Sequence, residues 1–203
     1  MKLANLNRVQ WLICIAILCF SGRLIAEDGY RLWLRYDKVT EPALLSSYRN
    51  HAKEIVIQET DQTSNAVREE LKNGLHGLLD KVIPVKNHVS KGGAIIVGTY
   101  KKSSVIKQIL PPSELESTGE EGYIIRSLSF KNSPVTVIAA NSPKGVLYGA
   151  FHFLRLLQTR KSIDNLSIKS RPRIMKRLLN HWDNLNGTVE RGYAGSLRRH
   201  LRE

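Results

Sequence analysis

Cysteine is nearly missing from this 203-residue chain: it occurs twice, as Cys14 and Cys19. Both lie in the one long uncharged apolar run, Trp11 to Phe20. The rest of the chain can form no disulfide and no thiolate metal site, and it offers no cysteine nucleophile. Long apolar runs are scarce too. Trp11 to Phe20 at helical rise covers roughly half of a ~30 Å hydrocarbon core, which is short for a membrane anchor. Lys2 and Arg8 precede the run, and Ser21, Gly22 and Ala26 come after it. A charged start, a short apolar middle and a small-residue exit have the layout of a signal peptide over residues 1–26. Export is therefore expected, to the periplasm or the extracellular space. A lipid anchor does not fit, because Leu18 precedes Cys19 and Ile13 precedes Cys14.

Other signatures are missing as well. The six histidines show no metal-ligand spacing. No Gly-x-Ser-x-Gly elbow occurs. Ser90-Lys-Gly-Gly93 comes before a strand pattern rather than a helix, so it reads as a turn and not a phosphate loop. No cofactor is implied.

Charge is plentiful and one-sided: +13 for the whole chain. Removing Lys2, Arg8 and Arg23 with the signal lowers it by three. Such a balance is compatible with nucleic acid, a membrane surface or an acidic polysaccharide. The cations are scattered among Glu and Asp between Lys53 and Lys81, however. They crowd only from Lys169 onward, as Lys169, Arg171, Arg173, Lys176 and Arg177, then Arg198, Arg199 and Arg202. No nucleic-acid motif accompanies them, and an export signal argues against that partner.

Periodicity supplies the elements. Glu54–Gln58 is a β-branched strand. Val67, Leu71, Leu75, Leu78 and Leu79 recur at helical steps, with Ser64 as a candidate cap and Asp80 and Pro84 closing the helix. Gly93–Gly98 is apolar throughout, so it reads as a central strand covered on both faces. A short helix is expected from Ser103 to Leu110, and a polar loop from Ser113 to Gly122. Tyr123–Arg126 and Pro134–Ala140 read as an antiparallel pair across Lys131-Asn132-Ser133. Ser142 and Pro143 suit the start of the strongest helix, whose Tyr148, Phe151 and Phe153 are expected in the core. A short edge strand is expected over Ile163–Ile168. The order implies an α/β (α+β) layered domain, helices on a mixed sheet.

The helix Asn141-Ser-Pro-Lys-Gly-Val-Leu-Tyr-Gly-Ala-Phe-His-Phe-Leu-Arg-Leu-Leu157 resembles one carried just before a catalytic barrel by glycoside hydrolases with chitobiase-type and hexosaminidase-type accessory domains. The segment Arg177-Leu-Leu-Asn-His-Trp-Asp-Asn-Leu-Asn-Gly-Thr-Val-Glu-Arg-Gly-Tyr-Ala-Gly195 resembles the start of the catalytic domain of α-glucuronidases of glycoside hydrolase family 67. Asp28–Tyr36 is similar to their mature N-terminus. The resemblance implies an N-terminal domain over 27–170 and the start of a truncated (β/α)8 barrel over 171–203. It implies cofactor-free, inverting hydrolysis of α-1,2-linked (4-O-methyl)glucuronic acid from xylo-oligosaccharides derived from glucuronoxylan. Inversion needs an acid and a base carboxylate roughly 6.5–9.5 Å apart. In the family these lie far along a barrel of ~250 residues, so no catalytic residue is expected here and the chain alone is expected to be inactive. Ser196–Glu203 looks unlike the usual continuation, as a truncation or frameshift would leave it.

The resemblance also offers substrate-binding residues. Trp182, Asp183 and Asn184 would end the first barrel strand, where an indole can stack on a sugar and the polar pair can hold hydroxyls. Their plain alternative is a core Trp beside a turn. Arg191 could fork onto a glucuronate carboxylate with Glu190 orienting it, or the two form a solvated pair. His181 reads as a packed strand residue. Two other readings remain: a non-catalytic carbohydrate-binding or interaction module, and an inactive relic. The sequence does not fix the oligomeric state.

Overall fold

β-Branched residues prefer the pleated backbone, and here they assemble a single sheet. The computed structural model describes residues 35–174 together with 177 and 178. The strands are β1 (Glu54–Val56), β2 (Val85–Lys86), β3 (Ala94–Thr99), β4 (Tyr123–Phe130), β5 (Ser133–Ala140) and β6 (Ser167–Ser170), in the order β2-β1-β3-β5-β4-β6. The first four in that order run parallel, while β4 is antiparallel to both β5 and β6. The expected antiparallel pair is present and longer than the sequence indicated. Its turn residues Lys131 and Asn132 have φ of 49° and 59°. Two left-handed residues match the twist of the flanking strands in a tight hairpin.

The helices are α1 (Pro42–His51), α2 (Gln62–Leu79), α3 (Ser104–Ile109), α4 (Ser113–Glu116) and α5 (Pro143–Gln158). Alternation along the strands divides the core in two. Ile55, Ile95, Val97 and Ile138 face Leu71 and Leu75 of α2 and Phe153 and Leu154 of α5. Val56, Ala94, Ile96 and Val137 face Val105 and Ile106 of α3 and Leu115 of α4. All six residues of β3 are buried, as expected of a central strand covered on both faces. Each fully buried Leu, Ile or Phe stabilises the domain by about 1.5–3 kcal/mol relative to exposure.

Several expectations need correction. The cap of α2 is Asp61, whose side chain accepts from the Ser64 amide at 3.0 Å; Ser64 is inside the helix. The stretch Ser113–Gly122 contains α4 rather than loop alone. The edge strand begins at Ser167, not Ile163; Ile163 and Leu166 are buried instead. Of the three aromatics placed in the core, Phe153 is fully buried, Phe151 is partly buried, and Tyr148 is 36% exposed. β2 went unread, because two residues carry no period. Its place is held by the Ile55 amide donating to the Pro84 carbonyl at 2.9 Å.

Candidate functional site

Trp182, Asp183, Asn184, Glu190 and Arg191, proposed from sequence as sugar-binding, lie outside the described residues, as do the whole signal-like segment and His181. Within the described residues, two places at the carboxyl ends of the parallel strands bring polar side chains together.

The first is the crevice between β1 and β3. Connections diverge there, to β2 on one side and toward β5 on the other, the kind of place where open α/β sheets hold ligands. Glu59 is 5% exposed in this crevice. Its Oε1 accepts from the Thr99 amide at 2.5 Å and the Thr99 hydroxyl at 3.0 Å, while Oε2 has no hydrogen-bond partner among the described residues. Gly98 leaves room for it: a Cβ there would stand 2.8 Å from Oε1. A groove of about 740 Å3 opens nearby, with Gln58, Arg68, Lys86 and His88 around Ile57 and Val85. Its cations are already engaged. Arg68 donates to Asn65 and to the Glu59 carbonyl. Lys86 pairs with Glu54 at 3.2 Å. Burial opposes ionisation of Glu54, yet the Ser90 hydroxyl and amide, Lys86 and the Lys91 amide hold its carboxyl below the usual range. The groove is scaffolding around β1 and β2 more than a reactive site. Among the described residues no cluster of His, Cys, Asp and Glu could hold a metal ion.

The second place is the corner where the chain leaves β6. Ser170 pairs with Tyr123, and Tyr123 with Ala140, so β6 ends beside the start of α5. Three backbones meet there at glycines. A Cβ on Gly122 would stand 2.2 Å from the Thr118 carbonyl oxygen and 2.5 Å from that of Ser170. One on Gly145 would stand 2.6 Å from the Gly122 carbonyl oxygen. The Asn141 side-chain amide donates to the Leu115 and Gly119 carbonyls, both at 2.9 Å, and lies 3.2 Å from the Thr118 hydroxyl. The Ser142 hydroxyl donates to the Glu120 carbonyl at 2.7 Å and accepts from the Gly145 amide, capping α5.

This fixed loop presents Glu121, whose side chain is 13% exposed, to two cations. Oε1 accepts from Lys144 at 3.0 Å and Oε2 from Arg177. The Glu121 hydrogen bond raises the Lys144 ammonium above its ordinary range. Arg177 also lies over the Tyr148 ring, 5.2 Å from its centre, within cation–π range. The helix that carried the resemblance thus has a local use for several of its residues: Asn141 and Ser142 tie down the loop, Gly145 lets it approach, and Tyr148 holds the linker. Sequence reasoning found the helix and the basic run but missed Glu121. The only signal was an acidic stretch, Glu114 to Glu121, and a basic one from Lys169, with nothing to say they meet.

Two family models match the chain, one on either side of a point within α5. Residues 32–153 match the model of the glycosyl hydrolase family 67 N-terminus, and residues 156–199 match that of the family 67 middle domain. The seam between the two matches falls inside the last turns of α5, whose helix packs on the sheet as one piece. Curated relatives include a probable α-glucuronidase A of Aspergillus fumigatus, 31% identical over 186 residues, which takes in 89% of this chain and 21% of the relative. The probable α-glucuronidase A of Aspergillus oryzae and the α-glucuronidase A of Emericella nidulans are each 28% identical, over 92% of this chain and 22% of the relative. The chain therefore spans about a fifth of the length of these relatives. A solved family GH115 4-O-methyl-α-glucuronidase with specificity for decorated arabinogalactans is a partial likeness only, with TM-score 0.43 and 19% identity over 51% of this chain and 13% of that one.

Proposed function

The chain belongs to glycosyl hydrolase family 67, and from that premise we propose that it is the N-terminal, non-catalytic part of an exported α-glucuronidase. The activity of the whole protein is hydrolysis, with inversion, of α-1,2-linked (4-O-methyl)glucuronic acid from xylo-oligosaccharides. The observation that carries this reading is the succession of the N-terminal and middle-domain matches in one chain, in order and nearly end to end. The buried and half-buried carboxylates support it in a second way. Glu54, Glu59, Asp61 and Glu121 each hold a loop, a cap or a linker. Such groups are committed to structure, whereas an inverting pair must face each other across a sugar with room for water. The chain supplies support, and a barrel supplies chemistry. Residues 1–26 serve as the export signal, 27–170 as the supporting domain, and 171–203 as the barrel's beginning. In that setting Trp182, Asp183 and Asn184 face the sugar, and Arg191, oriented by Glu190, meets the glucuronate carboxylate.

Reconstitution tests this reading. The Emericella nidulans relative lacking only the part that corresponds to residues 27–170 is expected to lose release of 4-O-methylglucuronic acid from aldouronic oligosaccharides, and fusion of its remainder behind residues 27–170 of this chain to restore part of it. Full activity of the shortened relative on its own would sink the supporting role. The module reading makes a different forecast, saturable binding of the same sugars by this chain alone; calorimetric titration separates the two.

A further inference from the structure

We propose that Glu121 is a positioning residue, fixing the direction in which the chain leaves this domain for the next. The identity of that next domain rests on the reading above; the clamp itself does not. A chain anchored at one point can swing about it, whereas two anchors set a direction. The first anchor is the register of β6, with Ser170 opposite Tyr123. The second lies seven residues later, where Arg177 meets Glu121 and the Tyr148 ring.

An exposed ion pair on a mobile loop contributes little, because ordering both side chains offsets the attraction. The loop here is held before the linker arrives. Gly119 takes a φ of 71°. Gly122 lies too close to the Thr118 and Ser170 carbonyls to bear a side chain. Asn141 and Ser142 bind the Gly119 and Glu120 carbonyls of the loop and the Leu115 carbonyl at the end of α4. Glu121 is therefore preorganised and mostly withdrawn from water, where a charge-assisted contact keeps more of its strength. Beside the clamp, Ile174 is 67% and Leu178 91% exposed. Apolar side chains left open at the exit from the sheet are placed for cover by the next domain.

The near absence of cysteine makes the test simple. With Cys14 and Cys19 changed to Ser, spin labels are placed on the 203-residue chain at Ser129→Cys, exposed on β4, and at Leu178→Cys, and the distance distribution is measured by double electron–electron resonance. The expected result is one narrow peak. Glu121→Gln and Arg177→Gln should each abolish it, and the double variant should broaden the distribution no further than either single change. Arg177→Lys, which keeps the charge, should retain most of the peak. Arg177→Gln lies in the linker outside the core, so its effect does not depend on the domain tolerating a change in the loop. A broad distribution in the chain with both residues intact, or a narrow one surviving Glu121→Gln, would overturn the proposal. The measurement involves no sugar and no turnover, so it stands or falls separately from the α-glucuronidase reading.

Discussion

Glu54 shows how much one buried carboxylate can organise. It is fully buried and accepts from the Ser90 amide at 2.7 Å, the Ser90 hydroxyl at 2.5 Å and the Lys91 amide at 3.2 Å, with Lys86 at 3.2 Å. Charge-assisted bonds of this kind are worth ~1.5–3 kcal/mol each. Glu54→Gln is expected to lower unfolding free energy by about 2 kcal/mol in urea titration. The carboxyl is held below its ordinary range in the folded state, so the folded protein releases this proton more readily than the unfolded chain. Its stabilisation is complete above the unfolded value of about 4.3 and is lost as the pH falls toward the lower folded value. Thermal melts across that window should show a shallower acid loss in Glu54→Gln than in the parent chain. A glycine tests the corner at the same scale. Gly122→Ala puts a methyl 2.2 Å from the Thr118 carbonyl oxygen. Overpacking costs ~1–3 kcal/mol, and a fall in melting temperature with β6 peptides exchanging faster would register it. An unchanged melting temperature would mean that the three backbones are not in contact there.

At the scale of elements, α5 is where sequence, packing and site meet. It begins at a serine cap with proline directly after it, buries Phe153, Leu154 and Leu157, and presents Tyr148 at the corner. Asn141, just before it, has two amide hydrogens to share among three acceptors. Asn141→Ala takes the amide donor from the Gly119 carbonyl, while the Leu115 carbonyl keeps the Thr118 amide and hydroxyl. It should cost ~1–3 kcal/mol and free the loop ahead of the rest of the domain in native-state hydrogen exchange. Elements long enough to repeat a period are legible in the sequence: α2, α5, β3 and the β4–β5 pair. β2 is not, since Val85 and Lys86 show no alternation and are placed by pairing with β1. β6 slid toward the C-terminus, because Ile163 and Leu166 are buried by tertiary packing and look like strand residues in isolation. The corner was the least legible feature. Glu121 and Arg177 are 56 positions apart, and no local pattern in a sequence reports a meeting at that distance.

At the scale of the whole molecule, the described residues hold together without a single cysteine. Two core clusters, one on each face of a six-stranded sheet, stand in for covalent staples. Among the described residues no helix is long and apolar enough to cross a membrane. The excess positive charge gathers late, and part of it meets the acidic loop at the exit corner: Arg177 binds Glu121, and Arg171 lies 4.0 Å from where a Gly119 side chain would begin. Arg177, at least, uses its charge on the linker. The central claim is that this chain carries the family's supporting domain and not its chemistry. Its most direct test is release of 4-O-methylglucuronic acid from aldouronic oligosaccharides by the purified chain, measured against a buffer blank. No release is predicted; release that persists through repurification and disappears in Asp183→Asn or Glu190→Gln would contradict the claim.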